Sequence, residues 1–238
     1  LNYVGIYSFE PENGPTTPAK LDEIARWQPR DAGGVANAFP HDLSVGIHPL
    51  NGKRLLFVAY WDAGAYIVDV TEPDKPEVGS RIPPAGPGDH VHTFKPHRYL
   101  IGGRYYAVVA PETFGAEPVG TYRLFDITDA RKPAFVAGWT PPPGDLVNPE
   151  PLLLSPHEFH LGNERLYASQ FHGGVWVLQL PSMAPLAMWQ KSLGDPSRTK
   201  DWAVDVSQVV WYNDHVYAVD MATGLLILEE EDQPFVDD

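Results

Sequence analysis

Short apolar runs, each broken by a cluster of turn residues, cover most of the chain. The clearest stretch lies between Asp42 and Ile82. Asp42–Ile47, Leu55–Tyr60, Ala65–Val70 and Glu77–Ile82 each read as a strand, because β-branched and aromatic residues dominate them. Between them stand Pro49-Leu50-Asn51-Gly52, Asp62-Ala63-Gly64 and Pro73-Asp74-Lys75-Pro76, which carry the residues that tight turns demand. No segment holds a convincing 3.6-residue apolar period. Lys20–Trp27, KLDEIARW, comes nearest to one. It follows the strand-like Tyr3–Phe9 and occupies the slot of a fourth strand, so it is predicted to be an outer strand.

The pattern repeats. Ile67–Pro76, IVDVTEPDKP, matches Leu124–Pro133, LFDITDARKP, with Asp69, Thr71, Lys75 and Pro76 falling on Asp126, Thr128, Lys132 and Pro133. Weaker copies run through Val177–Pro181 and Ile227–Glu230. Upstream of each lies an aromatic or β-branched run: Leu55–Trp61, Tyr105–Ala110, Arg165–Phe171 and His215–Met221. Further upstream, three copies open on His41-Asp42, His92-Thr93 and His157-Glu158, and the fourth on Ser207-Gln208. Four-stranded units at this spacing predict an all-β fold, a β-propeller of four-stranded antiparallel blades. About four blades are readable. Residues 1–30 form a partial blade, 41–84, 92–142 and 157–192 whole ones, and 205–238 a partial one ending in a stub at Pro234–Asp238. The strand tally at the two ends predicts membership of a larger ring, completed by missing blades or by another chain. Pro83–Gly88 and Pro141–Pro151 read as inter-blade joins within a single domain.

Composition narrows the partners. The formal net charge is −14, with six of the acidic residues in the last ten positions, which argues against nucleic acid or an anionic membrane. No apolar run reaches the roughly 20 residues of a membrane-spanning helix. The chain has no cysteine, which removes disulfides, thiolate metal sites and cysteine nucleophiles. Nucleophile-elbow, phosphate-loop, dinucleotide, zincin and EF-hand motifs are absent, as are N-glycosylation sequons.

Leu55–Val70, LLFVAYWDAGAYIVDV, followed by TEPDKPEVG, resembles the LVIVD-repeat family of propellers, and TYRLFDITDARKPAFVAG and GGVWVLQL are similar. The resemblance spans roughly residues 40 to 230 and implies a propeller of secreted, cell-surface or periplasmic proteins, the cytoplasm staying open. A more distant resemblance is to selenium-binding proteins, also called methanethiol oxidases, whose propellers hold a histidine-bound metal. Those proteins use a cysteine-containing motif that this chain lacks, so none of their catalytic positions transfers.

Nine histidines invite attention. Strands alternate in direction within a blade, so the start of each inner strand and each loop between second and third strands share a face. His41, His92 and His157 start inner strands, His90 precedes His92 by two residues, and His172 lies in a returning loop. Asp62, Glu112 and Asp220 occupy equivalent loops. Two readings stand. In the first, His41, His90, His92, His157 and His172 ligate a divalent transition metal, Cu, Zn or Fe, with Asp42 and Glu158 as outer partners. Alternatively each histidine caps its strand by bonding the backbone of a neighbouring blade. His48 and His97 fall in turns on the opposite face and are predicted to be solvated, and His160 and His215 carry no assignment. The functional expectation is a module that binds a protein or small-molecule ligand on one face. The competing expectation is a metal-dependent oxidoreductase or hydrolase.

Overall fold

The computed structural model describes residues 3–10, 20–29, 35, 37–114, 119–141, 154–189 and 204–229. Every regular element among them is a strand. Strands β1 (Val4–Glu10) and β2 (Lys20–Trp27) pair as an antiparallel hairpin. Strands β3 (Asp42–Ile47), β4 (Arg54–Ala59), β5 (Ala65–Asp69) and β6 (Glu77–Ile82) form a four-stranded sheet in sequence order. So do β7 (His90–Pro96), β8 (Tyr106–Glu112), β9 (Tyr122–Asp126) and β10 (Ala134–Trp139), and again β11 (Phe159–Gly162), β12 (Arg165–Ser169), β13 (Val175–Gln179) and β14 (Ala184–Trp189). A three-stranded sheet of β15 (Val206–Tyr212), β16 (His215–Asp220) and β17 (Gly224–Glu229) follows. The expected strands of the first full repeat match those observed to within one residue at each end. KLDEIARW is the strand its slot predicted. The stub at Pro234–Asp238 and most of the Pro141–Pro151 join lie outside the described residues.

The chain divides into two compact units, Leu1–Val109 with Phe125–Phe135, and Ala110–Leu124 with Val136–Asp238. Within the first unit, β4 shows why the run Leu55–Tyr60 is apolar without a break. Alternate side chains leave a strand on opposite faces. Leu55, Phe57 and Ala59 enter a core with Val91, Phe94, Tyr105 and Ala107. Leu56, Val58 and Tyr60 enter a second core with Val4 and Trp27 of the hairpin. Ala65 and Ile67 of β5 join the first core, Tyr66 and Val68 the second. Continuous hydrophobicity therefore marks strands covered on both faces. Phe57 and Phe94 meet edge to face at 5.2 Å, with both rings fully buried.

The second unit repeats the scheme. Tyr167, Val175 and Val177 pack on Val206, Val209, Val216 and Ala218. On the other face Trp176 meets Trp139 at 4.9 Å. The opposite side of the β15–β17 sheet leaves Val210, Tyr212, Val219, Leu225 and Ile227 exposed.

The Asp-x-Thr turn has the structural role its repetition suggested. Asp69 Oδ1 accepts the Thr71 N–H at 3.0 Å, and Asp126 Oδ1 accepts the Thr128 N–H at 2.9 Å. Each carboxylate also meets a base from a neighbouring strand or turn, Lys53 on Asp69 and Arg104 on Asp126. Burial works to raise the Asp69 carboxyl, but Lys53 and Thr71 outweigh it and hold it at about 2. Asp126 is lowered by the same contest.

The expectation for His48 and His97 is corrected: both are 1% exposed. His48 Nε2–H donates to the Thr128 carbonyl at 3.2 Å, and its ring meets Tyr105 edge-on at 5.0 Å. His97 Nδ1 bonds the Tyr99 carbonyl at 2.9 Å. Each turn folds its imidazole inward because a backbone carbonyl there needs a donor.

Candidate functional site

His41, His90 and His92 lie in the first unit, and His157 and His172 in the second. In the first unit the backbone N–H of His41 extends the ladder to the Ala59 carbonyl, at 2.8 Å. Its ring then turns toward the next inner strand, where Nδ1–H donates to the His92 carbonyl at 3.3 Å. The two rings lie 4.1 Å apart, centre to centre, and a ring nitrogen of each comes within 4.8 Å of the other. His92 is buried, with Nδ1 2.7 Å from Thr93 Oγ1, whereas His41 is exposed. His90 engages Asp62 through its own Nδ1.

Trp61 holds these rings together. His90 stacks on its indole at 5.0 Å and 10°, and His41 stacks on it at 4.9 Å and 27°, beside Phe39 at 5.2 Å. Trp61 sits in the left-handed region, φ 43°, a conformation costly for a bulky side chain. What holds it there is visible in the backbone. Tyr60 N–H bonds the Gly64 carbonyl at 2.8 Å, and Trp61 itself makes an isolated bridge to Val91. Gly64, at φ 96°, completes the turn, and a Cβ there would collide with the Ile82 carbonyl.

The second unit uses the same device independently. Phe171 has φ 44° and bridges to Val206. The His157 ring packs on Phe171 at 4.6 Å, and its Nδ1–H donates to the Ser207 carbonyl at 2.6 Å. His172 stands in the loop after Phe171, close enough to Asp205 for its charge to act there. Burial raises the Asp205 carboxyl, Asp220 adds to this, and His172 and His157 oppose it. Asp220 is buried and caps its own turn, accepting the Ala222 N–H at 2.8 Å and the Thr223 hydroxyl at 2.9 Å. Glu112 closes β8.

The strand-capping geometry expected of the histidines is thus present for His41 and His157, each bonded to the backbone of the following inner strand. It does not exhaust their chemistry. A carbonyl can only accept, so the proton of each ring sits on Nδ1 and the lone pair on Nε2. A hydrogen bond of this kind on the far nitrogen is also how proteins orient metal-ligating imidazoles. His48 is the opposite case. Its Nδ1 accepts the Leu50 N–H at 3.3 Å while Nε2–H donates to Thr128, which commits both nitrogens. Within the first unit Asp62 is a carboxylate set against a site histidine, His90.

Sequence reasoning missed Trp61 and Phe171 as organisers of these histidines. The signal was available in the parallel segments Trp61-Asp62-Ala63-Gly64 and Phe171-His172-Gly173-Gly174, each an aromatic before a loop ending in glycine.

No family pattern and no curated protein matches this sequence. Solved structures do match in shape. The β-propeller domain of Myceliophteria thermophila Cps50 (Swd1) superposes with a TM-score of 0.54 at 14% identity, over 87% of this chain and 60% of that one. The computationally designed proteins Ika4 and Ika8 give 0.46 and 0.47 at 10% and 9% identity, over 74% and 73% of this chain and 84% and 42% of theirs. At such identity the Swd1 likeness speaks for fold alone, and with the five antiparallel sheets it establishes an all-β fold built from blades of the β-propeller kind.

Proposed function

We propose that the protein is a binding module that presents a histidine-bearing face to a protein or small-molecule ligand and carries a divalent transition metal, Cu, Zn or Fe, on His41 and His92. His90 with Asp62 flanks this pair, and His157 and His172 form the corresponding group of the second unit. The observation that carries the reading is the tautomer of His41. Its Nδ1 proton is spent on the His92 carbonyl, which leaves the Nε2 lone pair on an exposed ring. Neutral imidazoles with a carboxylate nearby, and no thiolate, suit borderline metals rather than soft ones. No family match supports the LVIVD resemblance, which stays part of this proposal, as does a secreted or cell-surface location.

Titration of chelator-treated protein with Zn²⁺, Ni²⁺ or Cu²⁺ tests it. Saturable binding that His41→Ala weakens at least tenfold, and His215→Ala leaves intact, is the expected result. Trp61 offers a second readout, since a paramagnetic ion on His41 quenches the indole stacked against it. If His41→Ala lowers stability while no ion binds in either protein, the histidines are strand caps and nothing more. The oxidoreductase or hydrolase alternative needs the same ion, and turnover lost together with the metal would distinguish it from binding alone.

A further inference from the structure

Away from the histidines, the first unit contains a cleft of about 370 Å³. It is built from two copies of the repeated turn. Asp69 and the adjoining Asn51–Lys53 segment supply one wall, Thr128–Arg131 the other, and the start of β6 the third. Leu55 and Ile67 lie at its base, 3% and 1% exposed, and the apolar surface it offers comes mainly from Val78, 53% exposed.

The charges around the rim are not equivalent. Lys53 is tied to Asp69, so that pair is internally neutralised. Asp129 Oδ1 accepts the Arg131 backbone N–H at 3.0 Å. By contrast, the Glu77 carboxylate and the Arg131 guanidinium make no hydrogen bond or ion pair among the described residues. Two carboxylates without a basic partner, Glu77 and Asp129, and one cation, Arg131, therefore border the cleft. The volume falls at the small end of the range that holds metabolite-sized ligands. A ligand matched to all three features carries an ammonium, a carboxylate and an aliphatic body between them.

We infer that this inter-turn cleft binds an aliphatic zwitterion of about dipeptide size, its ammonium on Glu77, its carboxylate on Arg131 and its side chains against Val78. The site is independent of the histidine face and of any metal there. The repeated Asp-x-Thr turn thereby gains a second role, since the residues that follow it in one repeat wall a cleft against the turn of another.

Amide-resolved NMR of the full chain with leucyl-leucine as probe tests this. Expected are saturable shifts centred on Gly79 and Ala130, with a Kd of about 0.1–1 mM. N-acetyl-leucyl-leucine and leucyl-leucinamide each remove one charge, and each is expected to bind about three- to fivefold more weakly, as exposed ion pairs allow. Arg131→Ala abolishes the preference for the free carboxylate, and Glu77→Gln the preference for the free amine. Both side chains are exposed, so neither substitution endangers the fold. Shifts that stay linear to about 10 mM, or equal affinity for all three probes in wild type and both variants, would overturn the inference.

Discussion

Replacing Asp69 by asparagine isolates the charge of a repeated turn from its shape. The amide keeps an acceptor for the Thr71 N–H but loses the ion pair with Lys53. In the native protein the carboxyl is held at about 2, against an ordinary value of 3.8. That interval corresponds to about 2.4 kcal/mol at 1.36 kcal/mol per unit. The Asp69 and Lys53 side chains are 19% and 44% exposed, so solvent screens part of it, and about 1–1.5 kcal/mol is the reasoned loss. Because the folded carboxyl is depressed, its contribution is present above about pH 4 and fades as the pH falls toward 2. Urea unfolding at pH 7 and near pH 2 reads both limits. Asp69→Asn should be less stable than wild type by about 1–1.5 kcal/mol at pH 7 and nearly equal to it near pH 2. Asp69→Ala should lose about 1 kcal/mol more at either pH, because the Thr71 N–H is orphaned. An Asp69→Asn deficit of the same size at both pH values would refute the electrostatic account.

Three further outcomes follow from the packing. Phe57→Ala empties a fully buried site against Phe94 and should cost about 3–5 kcal/mol in chemical denaturation. His48→Ala removes two hydrogen bonds and a ring contact with Tyr105, and should cost about 2–3 kcal/mol while leaving metal affinity unchanged. Burial pushes the Tyr105 hydroxyl up to about 12, so in an alkaline ultraviolet titration its phenolate should appear only when the fold opens.

The strands were readable because two signals agreed. In β3 to β6, apolar runs and turn residues alternate, and only one pairing register satisfies both. The inward turn of His48 was not readable. Its neighbours Pro49 and Asn51 describe a solvated turn, and nothing local announces the Thr128 carbonyl, 80 residues away, that takes its proton. The meeting of His41 with His92 was legible by position, since one stands beside β3 and the other near the start of β7. Its organisation was not. In the sequence Trp61 is only the end of the run Leu55–Trp61, and the backbone alone reveals the left-handed bend that sets its indole against two imidazoles.

The two-sided burial of β4 bears on how the protein comes apart. A strand whose side chains from Leu55 to Ala59 each serve one of two cores cannot open without disturbing both, so its amides should exchange with deuterium only through large cooperative events. The β17 strand, where Leu225 and Ile227 face solvent, has one packed side and should exchange through smaller openings. Protection factors should therefore rank β4 and β5 well above β17. In that ordering a strand's resistance to opening follows from how many of its faces are packed.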